Sequence, residues 1–213
     1  MRTQIIFRSV VIALAAICFS SCKKDNNNSV PDNSSLFKNT VWTGEFNYTG
    51  KDVEPISMAF NENGGLTWHE VSGDFTGNWK LENGKLTISL SSAVSFKADI
   101  SANQLTNIEN TDANGRKLSN AGLNANADDL LDNTTWTAPN LLLVFKAGNK
   151  IDMTLGAGTH YYDLPYTRKD KSIRFNAITA YKWFLITNSN ISMKGSNTFT
   201  GDPAVYPFEM AKQ

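Results

Sequence analysis

Few side chains in this chain could do chemistry, and their neighbours limit what that chemistry could be. Histidine occurs twice, as His69 in Trp68-His69-Glu70 and as His160 in His160-Tyr161-Tyr162-Asp163. A metal would need these imidazoles together with Glu70 or Asp163. Neighbouring strand residues point to opposite faces, so His69 and Glu70 cannot readily close on one ion. Both histidines are therefore expected as solvent-facing strand residues, with no metal and no other cofactor. No serine sits in a Gly-x-Ser-x-Gly turn, the strained elbow that exposes a nucleophile. Glu45, Glu70, Asp74, Asp152 and Asp163 could in principle supply a paired-carboxylate hydrolase, but the acids of any β protein could be so arranged, and no enzyme is expected. Aromatic rings are the better lead, with five Trp, six Tyr and 12 Phe. Trp42 and Trp136 read as core residues. Trp68 lies beside the Gly64-Gly65 turn and is expected to be partly exposed. The runs His160-Tyr161-Tyr162 and Tyr181-Lys182-Trp183-Phe184 put rings on both faces of a strand. Trp68, Tyr161, Tyr162 and Tyr181 are thus the candidate binding residues, suited to stacking on a sugar or packing on a protein partner. The competing expectation is that such rings are buried where two modules meet.

The two cysteines, Cys18 and Cys22, belong to the N-terminus. Arg2 and Arg8 precede about ten uninterrupted apolar residues, Val10 to Phe19, and then Ser20-Ser21-Cys22. This is the layout of a secretory signal, and the run is shorter than the roughly 20 apolar residues a bilayer span needs. Small residues before a cysteine resemble the lipobox of bacterial lipoproteins. That resemblance implies cleavage after Ser21, a diacylglyceryl group on the Cys22 thiol and anchorage in a lipid bilayer, with residues 1–21 discarded as the signal. Residues 22–35, Lys- and Asn-rich and without a hydrophobic anchor, read as a flexible tether. The mature chain then has no thiol for a disulfide, a zinc site or a nucleophile. Basic and acidic residues number 20 each, and loss of Arg2 and Arg8 leaves a net charge of −2. Without a basic block, nucleic acid is excluded as a partner.

The remaining residues are organised by a duplication. Leu36-Phe37-Lys38-Asn39-Thr40-Val41-Trp42-Thr43 is echoed by Leu130-Leu131-Asp132-Asn133-Thr134-Thr135-Trp136-Thr137, 94 residues on. Ile56 to Asn61 then matches Leu141 to Lys146 at an offset of 85, and Trp79, Leu86, Ile88 and Phe96 match Tyr166, Ile173, Phe175 and Trp183 at 87. The early loss of nine residues marks a shorter connection: 47–54 of the first copy has no full counterpart in the second. Within each copy apolar residues alternate, as in Ile56/Met58/Phe60, Phe75/Gly77/Trp79/Leu81, Leu141/Leu143/Phe145 and Ile151/Met153/Leu155. That period marks strands with one buried face. Turn signals such as Glu82-Asn83-Gly84-Lys85 separate them. No 12-residue helical period survives outside the signal, and 117–124 reads as the last strand of copy one. The expectation is all-β: two tandem small antiparallel up-and-down barrels, 36–126 and 127–213.

The order of Trp42, Phe60-Asn61-Glu62-Asn63-Gly64-Gly65, and Gly73 through Trp79 to Ile88 resembles the lipocalin-like domains common in lipoproteins of the Bacteroidota. Tyr206-Pro207-Phe208-Glu209-Met210 is similar to their final hairpin, and Cys22-Lys23-Lys24-Asp25 to their tethers. Copy two departs from the pattern, with Tyr166 where copy one has Trp79. The resemblance implies an up-and-down barrel and no particular activity. Large side chains such as Phe60, Trp79, Phe145 and Phe175 would fill interiors of this size, which favours surface binding over a deep cavity. The expected function is a non-enzymatic binding module at the outer membrane of the cell envelope, for a small apolar molecule, a glycan or an envelope protein. The alternatives are a structural or inhibitory accessory of an envelope complex and, less favoured, a glycan hydrolase. Replacing Cys22 by Ser is expected to abolish incorporation of labelled palmitate and to leave the chain in the soluble fraction of a cell lysate; unchanged labelling would place any acyl group elsewhere.

Overall fold

The computed structural model describes residues 32–47, 52–112, 115–125, 131–189, 191–202 and 204–213. The expected signal, the expected lipidation site Cys22, most of the expected tether and the 126/127 module boundary lie outside the described residues. Asp32–Gln213 forms one compact unit, and it is all-β as expected.

The first barrel is built from β1 (Thr40–Asn47), β2 (Val53–Phe60), β3 (Gly65–Glu70), β4 (Gly73–Glu82), β5 (Lys85–Ser91), β6 (Val94–Ser101), β7 (Gln104–Asp112) and β8 (Lys117–Leu123). The second uses β9 (Thr134–Ala138), β10 (Leu141–Lys146), β11 (Lys150–Leu155), β12 (Thr159–Lys169), β13 (Ser172–Ile178), β14 (Tyr181–Thr187), β15 (Ser192–Phe199) and β16 (Tyr206–Lys212). Each is a closed antiparallel barrel in which sequence neighbours pair and the last strand meets the first. Closure gives every strand a neighbour on both sides. Tight turns fall where expected: Asn83 (φ 52°) and Gly84 (φ 78°) both occupy the left-handed region that a two-residue hairpin needs.

Alternation places a continuous core inside each ring. In barrel one Trp42, Phe46, Met58, Phe60, Trp68, Ile88 and Phe96 are buried together. Phe46 meets Trp68 edge-on at 5.0 Å, and Trp68 stacks on Phe96 at 5.8 Å. The other end is closed by a short 3-10 turn, Ser34–Leu36, that lays Phe37 on Trp42 at 4.7 Å. The Leu36 carbonyl accepts the Trp42 indole N–H at 3.1 Å, so the last residues of the expected tether already belong to the fold. Barrel two is lined by Trp136, Leu143, Phe145, Met153, Tyr166, Phe175, Trp183 and Met210.

Two expectations are corrected. Trp68 is not partly exposed: it is fully buried, facing inward from β3 among Phe46 and Phe96, with its indole N–H donated to Glu70 at 3.0 Å. Phe75 was assigned to the buried face of its strand and is 45% exposed. β4 pairs with β5 only from Asn78 to Glu82, while Gly73 to Gly77 pairs with β3 alone, so Phe75 sits on a stretch that projects past the neighbouring strand. In the same strand Gly77 has a steric reason for its identity. A Cβ there would stand 2.5 Å from the Ser89 carbonyl oxygen of β5, a backbone atom that cannot step aside. Gly77→Ala is therefore expected to cost about 1–3 kcal/mol of stability, the usual price of overpacking, read from the urea midpoint; an unchanged midpoint would show that β4 and β5 can separate freely.

Candidate ligand-binding site

The shortened connection in copy two decides the shape of its barrel. β1 and β2 run eight residues each, whereas β9 has five and β10 six. Register aligns Trp42 with Trp136 and Ile56 with Leu141, so the hairpin of barrel two turns at Pro139-Asn140, before it reaches the level of Phe46 and Glu54. Those two residues of barrel one are buried and have no counterpart. At the next inward position Met153 stands for Trp68, and Trp183 for Phe96. What fills one end of barrel one is thus missing from barrel two.

The result is a cavity of about 620 Å³ at that end, walled by Ala138, Leu141, Leu155, Trp183, Asn197 and Phe208 and rimmed by Pro139, Tyr206 and Glu209. Phe60, Trp79, Phe145 and Phe175 fill the barrel interiors as expected; the space lies beyond them, at the open end of barrel two. The lining is mostly apolar. Trp183 stacks on Phe175 at 5.8 Å and meets Phe208 edge-on at 5.5 Å. The other indoles all have acceptors: Trp42 on Leu36, Trp68 on Glu70, Trp79 on Asn61 and Trp136 on Thr134. Among the described residues the Trp183 indole N–H is buried without one, at a typical cost of about 1–3 kcal/mol.

Of the sequence-derived binding residues, Tyr161, Tyr162 and Tyr181 lie toward this end of barrel two, and Trp68 does not. Tyr161 is half-buried against the barrel core. Tyr181 is on the rim, 4.7 Å from Phe199. Tyr162 points outward, stacked beside His160 at 6.0 Å. Neither Tyr161, Tyr162 nor Tyr181 lines the cavity itself. The residues that do were not singled out for binding; the signal available was the nine-residue deletion together with Trp183 and Met153 at positions where copy one carries Phe96 and Trp68. Phe184, next to Trp183, follows the alternative reading: it is buried between the modules with Val71, Ile186 and Val205.

His69 was expected in solvent and is fully buried. It faces outward from barrel one, and the β12–β13 hairpin of barrel two covers it. Nδ1 lies 2.7 Å from Asp74 Oδ1 and Nε2 2.9 Å from Asp170 Oδ2. The two carboxylates thus occupy opposite sides of the ring and do not meet at one point where an ion could sit. Ser57, directly opposite His69 on β2, donates its hydroxyl to the Asp170 carbonyl. Arg174 of β13 pairs with Asp74 and donates to the Glu70 and Gly73 carbonyls, each at 2.8 Å. Lys194 bridges to Glu45 at 2.7 Å. The remaining acids weighed as catalytic are also engaged: Glu70 by Trp68 and Ser72, Asp152 and Asp163 by Lys146. None of the five acids lines the cavity.

Comparison of the chain with protein-family models, with curated proteins and with solved structures returns no match.

Burial pushes the Asp74 carboxyl up, but hydrogen bonds and charge from His69 and Arg174 outweigh it and hold it below the ordinary value. A carboxyl lowered by folding contributes stability in full above its unfolded value of about 4, and loses it as pH falls through the lower folded value. The wild-type urea midpoint is expected to drop between about pH 5 and pH 2.5 by more than that of Asp74→Asn; parallel curves would show that this contact does not hold the barrels.

Proposed function

We propose that this chain is a lipid-anchored, non-enzymatic binding protein of the bacterial envelope, and that its second barrel takes a small, largely apolar molecule. The observation that carries this reading is the cavity of about 620 Å³ at the open end of barrel two, walled mostly by apolar side chains, among them Leu141, Leu155, Trp183 and Phe208. The volume falls in the range of small-molecule sites, roughly 300–1,000 Å³, and such sites combine an apolar wall with a few polar groups. The apolar body of such a ligand would cover Leu141, Leu155 and Phe208. Barrel one, filled to the end, serves as the support on which the second barrel is held. The lipobox-like Cys22 and the Asn-rich tether support attachment to a bilayer, and the resemblance to lipocalin-like lipoprotein domains of the Bacteroidota supports an outer-membrane address.

Both hydrophobic cores lie within residues 32–213, so this segment can be tested alone. Prodan, a neutral naphthalene carrying a ketone, is expected to bind with a blue-shifted emission. Ala138→Trp, which fills the opening, should abolish the shift. Binding that survives Ala138→Trp would remove the cavity as the site.

A further inference from the structure

We propose a second, separate binding site in the cleft between the two barrels, for a small molecule that joins an aromatic or apolar body to an anionic group. The cleft holds about 540 Å³. Barrel one supplies its β3–β4 turn, Val71 to Asp74, and barrel two supplies β12, β13 and β14.

The cleft exists because the β12–β13 hairpin is only half zipped. The two strands pair from Tyr166–Phe175 to Lys169–Ser172 and no further. Beyond Tyr166, Pro165 has no N–H to offer β13, and Asp163 turns the strand with a φ of 53°. Lys146, bonded to Asp163 and Asp152, holds that turn on the β11 side. The tip of the hairpin is fixed to barrel one by Ser57 and His69. The strands therefore stay apart between two anchors, and Tyr166, Phe175 and Trp183, otherwise interior, form the floor of the opening.

The chemistry of the walls selects the ligand. The floor is aromatic, lined by Tyr166, Phe175 and Trp183, which suits an apolar body. The charged wall residues are Arg174, Lys182 and Asp74. The Asp74 carboxylate is occupied by His69 and Arg174. Lys182 is exposed and makes no ion pair among the described residues. The cleft thus carries an excess of positive charge beside an apolar floor, complementary to an anion on an apolar body. This site shares only Trp183 with the cavity at the end of barrel two, so it can be occupied independently.

The probe is 8-anilinonaphthalene-1-sulfonate, titrated by fluorescence into residues 32–213. It is expected to bind at one site, to weaken with added salt, and to remain bound when prodan is present at saturation. Lys182→Glu should weaken it about 10-fold, and Lys182→Met about 3-fold, as loss or reversal of one partly screened charge predicts. Ala138→Trp should leave it unchanged. Lys182 is exposed, so neither variant should alter the thermal unfolding curve, and that curve is recorded for each. Absence of binding, affinity indifferent to both Lys182 variants, or displacement by prodan together with loss in Ala138→Trp would overturn the cleft site. The last pattern would leave the barrel cavity standing, whereas sulfonate binding that depends on Lys182 in a protein that ignores prodan would overturn the cavity and keep the cleft.

Discussion

The inside of an eight-stranded barrel has a nearly fixed volume, and everything distinctive about this chain follows from how that volume is filled. A ring of eight strands leaves room for one set of inward side chains or for one small guest. Barrel one takes the first course. Trp42, Phe46, Phe60, Trp68 and Phe96 interlock from end to end, and Phe37 closes the remaining opening. Barrel two has the same strand order and the same leading Trp, but its first hairpin stops short and a Met replaces a Trp. One fold thus gives a filled support and an open receptacle in the same chain, and the difference traces to a few residues.

The interface between the two is polar where a filled core would be apolar. Among the described residues, Val71, Phe184, Ile186 and Val205 form its apolar cluster. Around them His69, Asp74, Asp170, Arg174, Glu45 and Lys194 are paired, with Asn124 donating to the Thr187 carbonyl at 2.8 Å. Paired groups satisfy their hydrogen bonds in one arrangement only, so they fix orientation more than they add stability. The tip that makes these contacts has two consecutive non-glycine residues at positive φ, Asp170 (48°) and Lys171 (67°). A glycine would fit the turn with less strain. It would lack the carboxylate that reaches His69.

Alternation and turn residues made the strands legible, because both reflect local rules: Ile56/Met58/Phe60 and Leu141/Leu143/Phe145 read directly as inward faces, and 117–124 as a closing strand. The duplication was legible through Trp42 and Trp136. Burial of individual residues was not, because it depends on which strand lies alongside. Trp68 looked exposed beside a glycine turn, yet its phase places it with Phe46. His69 looked solvent-facing within its own module, and only the partner module buries it. The deletion in copy two was visible as a change of offset from 94 to 85, but its meaning as an open end required knowing which inward residues it removed.

The closure of barrel two has one thin place. β16 pairs along its length with β15, from Tyr206 to Ala211, but touches β9 through only two residue pairs, Ala211–Thr137 and Lys212–Trp136. Tyr206 to Glu209, which edge the cavity, are therefore held from one side. In such an arrangement the backbone on the unsupported side opens at lower free energy than the rest of the sheet. The open end of barrel two thus has a compliant lip set in a stiff wall, and if it takes a guest as proposed, one wider than the resting aperture would enter by bending that lip while the remaining strands stay in place.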